Sequence, residues 1–166
     1  AAVAAGAALL ALDRFEGALI AMAFGVAAVA ALAPSGRRFW CASGLLYAGA
    51  VLFAPAILRR DAALGLVAIL FLFAVVWATD ILAYFAGRAI GGPRLWPAVS
   101  PKKTWSGALA GLAGAAIGGS GVALASGLRV TATLVCLCVV LSIAAQAGDL
   151  LESFVKRRFG AKDASH

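Results

Sequence analysis

Charged residues are scarce in this chain. Only 13% of its 166 residues are Asp, Glu, Lys or Arg, about half of the roughly 25% that soluble domains carry. Hydrophobic residues make up 64% of the chain and its mean hydropathy is +1.01. One globular core of this size could not cover so much apolar surface. We therefore exclude an ordinary soluble domain and expect lipid to cover most of the outside.

The sequence also lacks the paired cysteine spacing of zinc sites and disulfide scaffolds, which excludes both. The three cysteines, Cys41, Cys136 and Cys138, lie within apolar runs and lack the paired spacing that either feature needs. The formal charge of +7 could suggest nucleic acid, but the fourteen Lys and Arg residues stand in short breaks between apolar runs. That arrangement is typical of membrane topology, so we expect no nucleic-acid partner.

Long apolar runs dominate the rest of the chain and predict an all-α fold, a polytopic transmembrane bundle of about six spans. A spanning helix needs about 20 apolar residues. The candidates are 1–12 (incomplete), 17–33, 39–58, 62–84, 106–126 and 129–147. We expect one membrane domain over 1–166, with N-terminal spans to about 84 and a motif-bearing half from about 80. The opening run lacks a basic region and is interpreted as a clipped helix, not a signal peptide.

Basic residues are unevenly divided when the spans alternate sides. One side would carry Arg37, Arg38, Arg88, Arg94, Lys102, Lys103, Lys156, Arg157, Arg158 and Lys162. The other would carry Arg14, Arg59, Arg60 and Arg129. Because cytoplasmic loops are enriched in Lys and Arg, the first side is predicted to be cytoplasmic. Both polar segments of the second half would then face the cytoplasm.

The run at 106–126 contains glycines at positions 107, 111, 114 and 118. Small residues at this spacing let helix backbones approach closely in membranes. The run is predicted to be a buried packing helix, which does not distinguish one function from another.

An acidic residue stands at the end of the preceding apolar run. Asp80, Tyr84 and Arg88 follow one another at steps of four, so they share one helical face. A charge at this depth is costly unless it faces protein or water, which favours a functional polar wall. The alternative is that Asp80 marks the interface and Arg88 extends to it.

The segment GGPRLWPAVSPKKTWSG contains helix breakers and then a polar cluster just before the next helix. Ser100, Lys102, Lys103 and Thr104 form this cluster. Backbone N–H groups at a helix N-terminus attract anions, and lysines add point charges, so the cluster suits phosphate. A positively charged loop with a helix cap is the alternative.

The last apolar run ends in QAGDLLESFVKRRFGAKDASH. Asp149, Glu152, Ser153, Lys156 and Arg157 recur at helical spacing and share one face. Two carboxylates one turn apart can hold Mg²⁺, and the following basic residues can hold the phosphates that the cation bridges. The alternative is a helix leaving the membrane that a Glu152–Lys156 pair stabilises.

Three segments together, DILAYFAGRAIG, SPKKTWSG and GDLLESFVKRRFGAKDASH, resemble the motifs of phosphatidate cytidylyltransferases in order and separation. The resemblance covers about half of the chain, from Asp80 onward. It implies an all-helical membrane enzyme, usually a homodimer, in a bacterial inner membrane. Such an enzyme joins CTP to phosphatidic acid with a divalent metal and releases pyrophosphate.

The resemblance also implies roles for individual residues. Asp149 and Glu152 would hold Mg²⁺, with or without a second cation. The catalytic residues would be Asp149, Lys156, Lys102 and Lys103. The nucleotide phosphates would be bound by Ser100, Thr104, Arg88, Arg157, Lys162 and Asp163. Ser106 stands where many members have a glutamate, which leaves the residues suited to phosphate intact.

The chain departs from the family pattern at its end. The family signature continues into a Pro-Gly-His-Gly-Gly stretch and an Asp-Arg pair with a further Asp, which this chain lacks. We therefore expect the sequence to be C-terminally incomplete and inactive alone, and His166 to have no catalytic role. Two other functions explain part of the pattern: a CTP-dependent polyprenol or phytol kinase, and a transporter or other non-enzymatic membrane bundle.

Overall fold

A computed structural model of the chain describes residues 1–12 and 14–160. Over these residues it contains six α-helices and a two-stranded sheet. Five of those helices are long and apolar enough to cross a membrane, so the prediction of an all-helical integral membrane protein is confirmed. The chain divides into two compact units, Ala1–Leu66 and Val67–His166, here called the N-terminal unit and the C-terminal unit. The prediction of one domain stays a prediction.

The N-terminal unit consists of α1 (Ala2–Ala11), α2 (Phe15–Leu32) and α3 (Arg38–Leu58). The first helix has ten residues, about 15 Å, which is half of the hydrocarbon thickness of about 30 Å. The described residues therefore give five full spans and one short helix, where about six spans were predicted. The core of this unit is formed by side chains from all three helices: Leu10, Ala18, Met22 and Phe53.

The C-terminal unit is built on α4 (Gly65–Ala89), which begins two residues before it, α5 (Trp105–Ala125) and α6 (Ala132–Arg158). Threonine side chains cap two of these helices. Thr104 accepts a hydrogen bond from the Gly107 amide at the start of α5, and Thr131 accepts one from Leu134 at the start of α6, both at 3.2 Å. Each cap satisfies an amide that the helix itself leaves without a partner.

Glycines on α5 face the backbone of α4. A Cβ atom at Gly114 would lie 2.5 Å from the Ala78 carbonyl oxygen, and one at Gly107 would lie 2.6 Å from that of Ala83. No residue with a side chain fits at such a distance, so the glycines permit the close helix contact. The prediction of a buried packing helix at 106–126 is confirmed.

The predicted loop from Phe85 to Trp105 has more regular structure than expected. Helix α4 continues to Ala89, and the rest contains an antiparallel hairpin of β1 (Arg94–Trp96) and β2 (Ser100–Thr104). Between helix and hairpin, Gly91 and Gly92 have φ angles of 66° and 103°, which glycine adopts without strain. Prolines in the segment cannot continue a helix but are compatible with a two-stranded ribbon that has only edge strands.

Helix α6 is continuous from the apolar run into the charged segment and has 27 residues. Its length of about 40 Å exceeds the hydrocarbon thickness of about 30 Å. Its last turns therefore extend beyond the hydrocarbon, as the charged residues there require. The predicted shared helical face at the end of α6 is confirmed.

Candidate active site

A cavity of about 640 Å³ lies within the C-terminal unit, bounded by α4, the hairpin, α5 and α6. Four of its lining residues are basic, two are acidic and several are small. The residues that the argument below uses are Asp80, Tyr84, Arg88, Arg94, Lys102, Lys103, Thr104, Gln146 and Asp149. The ends of α4 and α6 and the hairpin thus meet at one place, as the alternation of spans predicted.

The wall that α4 contributes carries the three polar residues predicted to share one face. Asp80, Tyr84 and Arg88 all line the cavity. The Arg88 guanidinium donates a long hydrogen bond of 3.5 Å from Nη1 to the Tyr84 hydroxyl. The predicted polar wall is confirmed, and it lies in the last turns of a membrane-spanning helix.

Lys103 of the hairpin faces Asp149 of α6. Its Nζ atom lies 2.9 Å from Asp149 Oδ2, and the two side chains are 32% and 49% exposed. Asp80 lines the same cavity. The partly exposed Lys103–Asp149 pair remains accessible to a ligand that competes for either partner.

The hydroxyl groups of Thr104 and Ser106 form hydrogen bonds at the base of the hairpin. Ser106 lies 3.0 Å from Thr104 through their side-chain oxygens, and its hydroxyl donates to the Gly91 carbonyl oxygen. A Cβ atom at Gly87 would lie 2.9 Å from Thr104 Oγ1, so α4 passes directly against this base. Ser106 thus has a structural partner where a glutamate is expected in many relatives.

The turn of the hairpin is tied to the end of α6. Arg157 donates from Nε to the carbonyl oxygen of the buried Val99. Asp149 and Arg157 are eight residues apart on a helix, about 12 Å, and Val99 and Lys103 are four apart along the strand, about 13 Å. The hairpin therefore lies beside two turns of α6 and is held at both ends.

Several predicted site residues do not reach the cavity lining. Arg157 contacts the hairpin turn, and Ser100 begins β2 opposite Trp96. Glu152 pairs with Lys156 at 2.6 Å, with side chains 60% and 39% exposed. This is the salt bridge of the alternative interpretation, and the predicted metal and catalytic roles of these two residues stay predictions. Lys162 and Asp163 lie outside the described residues.

Two polar residues of the described cavity lining were absent from the predicted set. Arg94 was counted only as a topological charge, and Gln146 was passed over within an apolar run. A signal for Gln146 was present, because an amide at this depth in a membrane helix is costly without partners, and it stands one turn before Asp149. Arg94 offered no local signal, because its place in the site depends on the hairpin.

The cavity suits a ligand that carries several negative charges. Arg88, Arg94, Lys102 and Lys103 can surround phosphate groups, and the volume lies within the roughly 300–1,000 Å³ of ligand pockets. Over 1–12 and 14–160, no three His, Cys, Asp or Glu side chains form a group that could hold a metal ion. Two carboxylates with phosphate oxygens nevertheless fit Mg²⁺, which keeps several waters and few protein ligands.

Sequence comparison identifies proteins to which the chain is similar. The profile of the cytidylyltransferase family matches residues 3–166. A phosphatidate cytidylyltransferase of Brucella abortus (strain 2308) is 52% identical over 163 residues, which cover 93% of this chain and 58% of that protein. One of Staphylococcus haemolyticus is 37% identical over 150 residues, covering 87% of this chain and 56% of that protein.

The match extends well beyond the three motif segments, into the spans that precede Asp80. The chain spans a little more than half of the length of these relatives. No solved structure matches it.

Proposed function

Because this chain belongs to the cytidylyltransferase family, we propose that its protein is a phosphatidate cytidylyltransferase. It would convert CTP and phosphatidic acid into CDP-diacylglycerol and pyrophosphate, a step of phospholipid biosynthesis. The proposal extends the activity named for relatives to a chain that covers 58% of the Brucella abortus protein.

The observation that carries the proposal is the charge arrangement of the cavity. The Lys103–Asp149 pair lies at the ends of membrane-spanning helices, together with Arg88, Arg94 and Lys102. A water-soluble triphosphate and a lipid phosphate are both anions, and they can meet only near the membrane surface. A cationic cavity at that depth satisfies both requirements.

In the proposed reaction, a phosphate oxygen of phosphatidic acid attacks the α-phosphorus of CTP. A new phosphorus–oxygen bond forms, the bond between the α- and β-phosphates breaks, and pyrophosphate leaves with the bonding electrons. The protein mainly neutralises and aligns the two anions. We assign this role to Lys102, Lys103 and Arg88, with the Thr104 hydroxyl beside them.

A divalent cation fits the carboxylates of the cavity. We propose that Asp149 would hold Mg²⁺, with Asp80 lining the same cavity. The cation would supply charge neutralisation at the triphosphate. Lys103, which pairs with Asp149, is the basic residue placed to contact a phosphate beside this carboxylate. Glu152 lies one turn further along α6 and is engaged with Lys156.

We also propose the orientation of the protein. The excess of Lys and Arg on the side of the hairpin and the α6 terminus supports a cytoplasmic location for the cavity mouth, where CTP is found. The similar proteins are bacterial, which supports the inner membrane. A homodimer is the assembly that the family resemblance suggests.

The test uses the natural gene product that contains this chain, purified and placed in lipid nanodiscs. We expect CTP labelled at the α-phosphate to transfer its label to phosphatidic acid, giving CDP-diacylglycerol only when Mg²⁺ is present. CTP labelled at the γ-phosphate should release the label as pyrophosphate.

The same assay separates the rival functions. A lipid kinase would transfer the γ-label to a polyprenol or phytol, and a transporter or inert bundle would transfer neither label. Either result from a folded protein would overturn the proposal. Activity that persists after complete removal of divalent cations would overturn the metal assignment alone.

A further inference from the structure

Among the lining residues in the described part of the chain, Gln146 is the one side-chain amide, and the reaction proposed above gives it no role. It lies on α6, three residues before Asp149, and is half-buried. Residues three apart on a helix share a face, so Gln146 and Asp149 face the same cavity, with Gln146 one turn further into the membrane-spanning part of α6.

The orientation of the Gln146 amide is determined by its partners. Nε2 donates to the Ala108 carbonyl oxygen of α5 and to Ser142 Oγ of α6, each at 3.3 Å. A carbonyl oxygen can only accept, so the amide nitrogen must face Ala108. Both N–H groups are then used within the protein.

The amide oxygen is left with no partner in the described part of the chain. Within that part, every buried side-chain nitrogen or oxygen has a hydrogen-bond partner. The Oε1 atom of Gln146 is therefore not fully enclosed by protein, and the side chain that carries it lines the cavity. It is available as a hydrogen-bond acceptor for a ligand.

The support of this amide is rigid. Ser142 is fully buried, and its hydroxyl lies 2.9 Å from that of the fully buried Thr79, which donates to the Val75 carbonyl oxygen at 2.8 Å. A Cβ atom at Gly111 would lie 3.2 Å from Gln146 Nε2, so α5 closes the remaining space. Satisfied buried networks of this kind hold a group in one orientation.

The chemistry of the two substrates decides what such an acceptor can bind. Phosphatidic acid offers phosphate and ester oxygens, which are acceptors. The nucleoside of CTP offers donors: the exocyclic amine of cytosine and the hydroxyl groups of ribose. Ala108, whose carbonyl oxygen accepts a hydrogen bond from Gln146, also lines the cavity and has a small side chain.

We propose that Gln146 Oε1 accepts a hydrogen bond from the nucleoside of CTP and so helps to select the nucleotide. This inference rests on the proposed function. The proposed partner of Oε1 is a hydrogen-bond donor of the nucleoside, either the cytosine amine or a ribose hydroxyl.

The test compares Gln146→Met, which has similar length and no acceptor oxygen, with the wild type in the natural gene product. We expect the KM for CTP to rise about tenfold, the effect of one lost hydrogen bond in an enclosed site. The KM for phosphatidic acid and the Mg²⁺ concentration for half-maximal rate should not change. Protection of the protein against thermal unfolding by CTP should weaken in parallel.

Nucleotide analogues identify the donor. If the amine is the partner, Gln146→Met loses discrimination between CTP and UTP. If a ribose hydroxyl is the partner, it loses discrimination between CTP and a deoxy analogue instead. Ser142→Ala keeps Gln146 Oε1 but removes one hydrogen-bond partner of the Gln146 amide, so the KM for CTP should rise by less than in Gln146→Met. If Gln146→Met does not fold, the KM of Ser142→Ala tests the proposal instead.

An unchanged KM for CTP, an equal loss with every nucleotide, or a raised Mg²⁺ requirement would overturn the inference, the last because the amide would then act at a cation. These results differ from failure of the proposed function. In that case the wild type itself forms no CDP-diacylglycerol.

Discussion

The two units of this protein differ in the groups that are buried where their helices meet. In the N-terminal unit, helices meet through apolar side chains, and Gly49, for example, faces the terminal methyl of Met22. In the C-terminal unit, α5 presents glycines directly to carbonyl oxygens of α4, and the fully buried residues include Thr79 and Ser142. Both units contain long apolar helices, and within the part of the chain that the structure describes, the C-terminal unit combines close backbone contact with buried hydroxyl groups.

The difference shows how a membrane bundle holds chemistry in place. Side-chain packing tolerates adjustment, because a methionine can change rotamer. Backbone contact does not, because a carbonyl oxygen moves only with its helix. Asp80 lies on α4, one of the two helices in this backbone contact, and Gln146 of α6 donates to the Ala108 carbonyl oxygen of α5. The contacts of α5 therefore connect the two helices that carry Asp80 and Asp149.

The largest effect is expected for Asp149→Asn, measured as CDP-diacylglycerol formation by the natural gene product. Loss of the carboxylate removes the proposed cation ligand and the partner of Lys103, and activity should fall on the order of 100-fold or more. The matched control is Asp61→Asn in the N-terminal unit. Asp61 accepts hydrogen bonds from the amides of Ala63 and Leu64, a capping role that asparagine retains. An active Asp149→Asn enzyme would remove this residue from the mechanism.

A smaller effect, a loss of stability, is expected when a methyl group is added between the backbones of two packed helices. Gly114→Ala would place Cβ 2.5 Å from the Ala78 carbonyl oxygen, and overpacking of this kind costs about 1–3 kcal/mol. Gly49→Ala in the N-terminal unit meets only the flexible end of Met22, and alanine favours a helix, so stability should change little. Thermal unfolding in detergent measures both. Equal destabilisation would contradict the contrast between the units.

A third comparison concerns two arginines, one in each unit, whose side chains donate a hydrogen bond to a backbone carbonyl oxygen. Arg157 holds the hairpin turn through the Val99 carbonyl oxygen, and Arg60 in the N-terminal unit donates to the Leu10 carbonyl oxygen at 3.1 Å. Arg157→Gln should lower activity about fivefold, the value of one hydrogen bond, and speed tryptic cleavage at Lys102 and Lys103. Arg60→Gln should leave activity unchanged. If Arg157→Gln alters KM for CTP without faster cleavage, Arg157 binds phosphate as first predicted.

The smallest effect is expected for Glu152→Gln. An exposed pair four residues apart on a helix contributes about 0.3–0.5 kcal/mol, so stability and rate should stay within about twofold of the wild type. Glu16→Gln, in the first turn of α2, is the matched change in the N-terminal unit. A clear rise in the Mg²⁺ concentration needed by Glu152→Gln would show that Glu152 is a metal ligand, as its spacing from Asp149 predicted.

Prediction from the sequence succeeded where the relevant geometry is local to one helix. Asp80, Tyr84 and Arg88 share a face because 3.6 residues make a turn, and Thr104 caps α5 for a similarly local reason. The same reasoning placed Glu152 and Arg157 on the face of α6 that carries Asp149. Glu152 pairs there with Lys156 and Arg157 donates to Val99 in the hairpin turn, while their predicted roles at metal and phosphate stay predictions.

The hairpin could not be predicted, because its strands have only three and five residues and no clear alternation of polar and apolar positions. Each strand exists through pairing with the other, and that pairing is supported by contacts of Val99 and Lys103 with α6. Arg94 and Gln146 were missed for related reasons. The place of Arg94 depends on the hairpin, and the orientation of Gln146 depends on partners from two helices, α5 and α6.

Composition and periodicity alone therefore determined that this is a helical membrane protein, which segments span the bilayer, and that its polar segments meet at one end of the bundle. These properties follow from the solvent and from the helical repeat, which act on each segment separately. Only the tertiary structure decided which polar residues form the cavity. Lys103 and Asp149 are 46 residues apart, and their contact depends on glycine-mediated helix packing and on a hairpin that no single segment specifies.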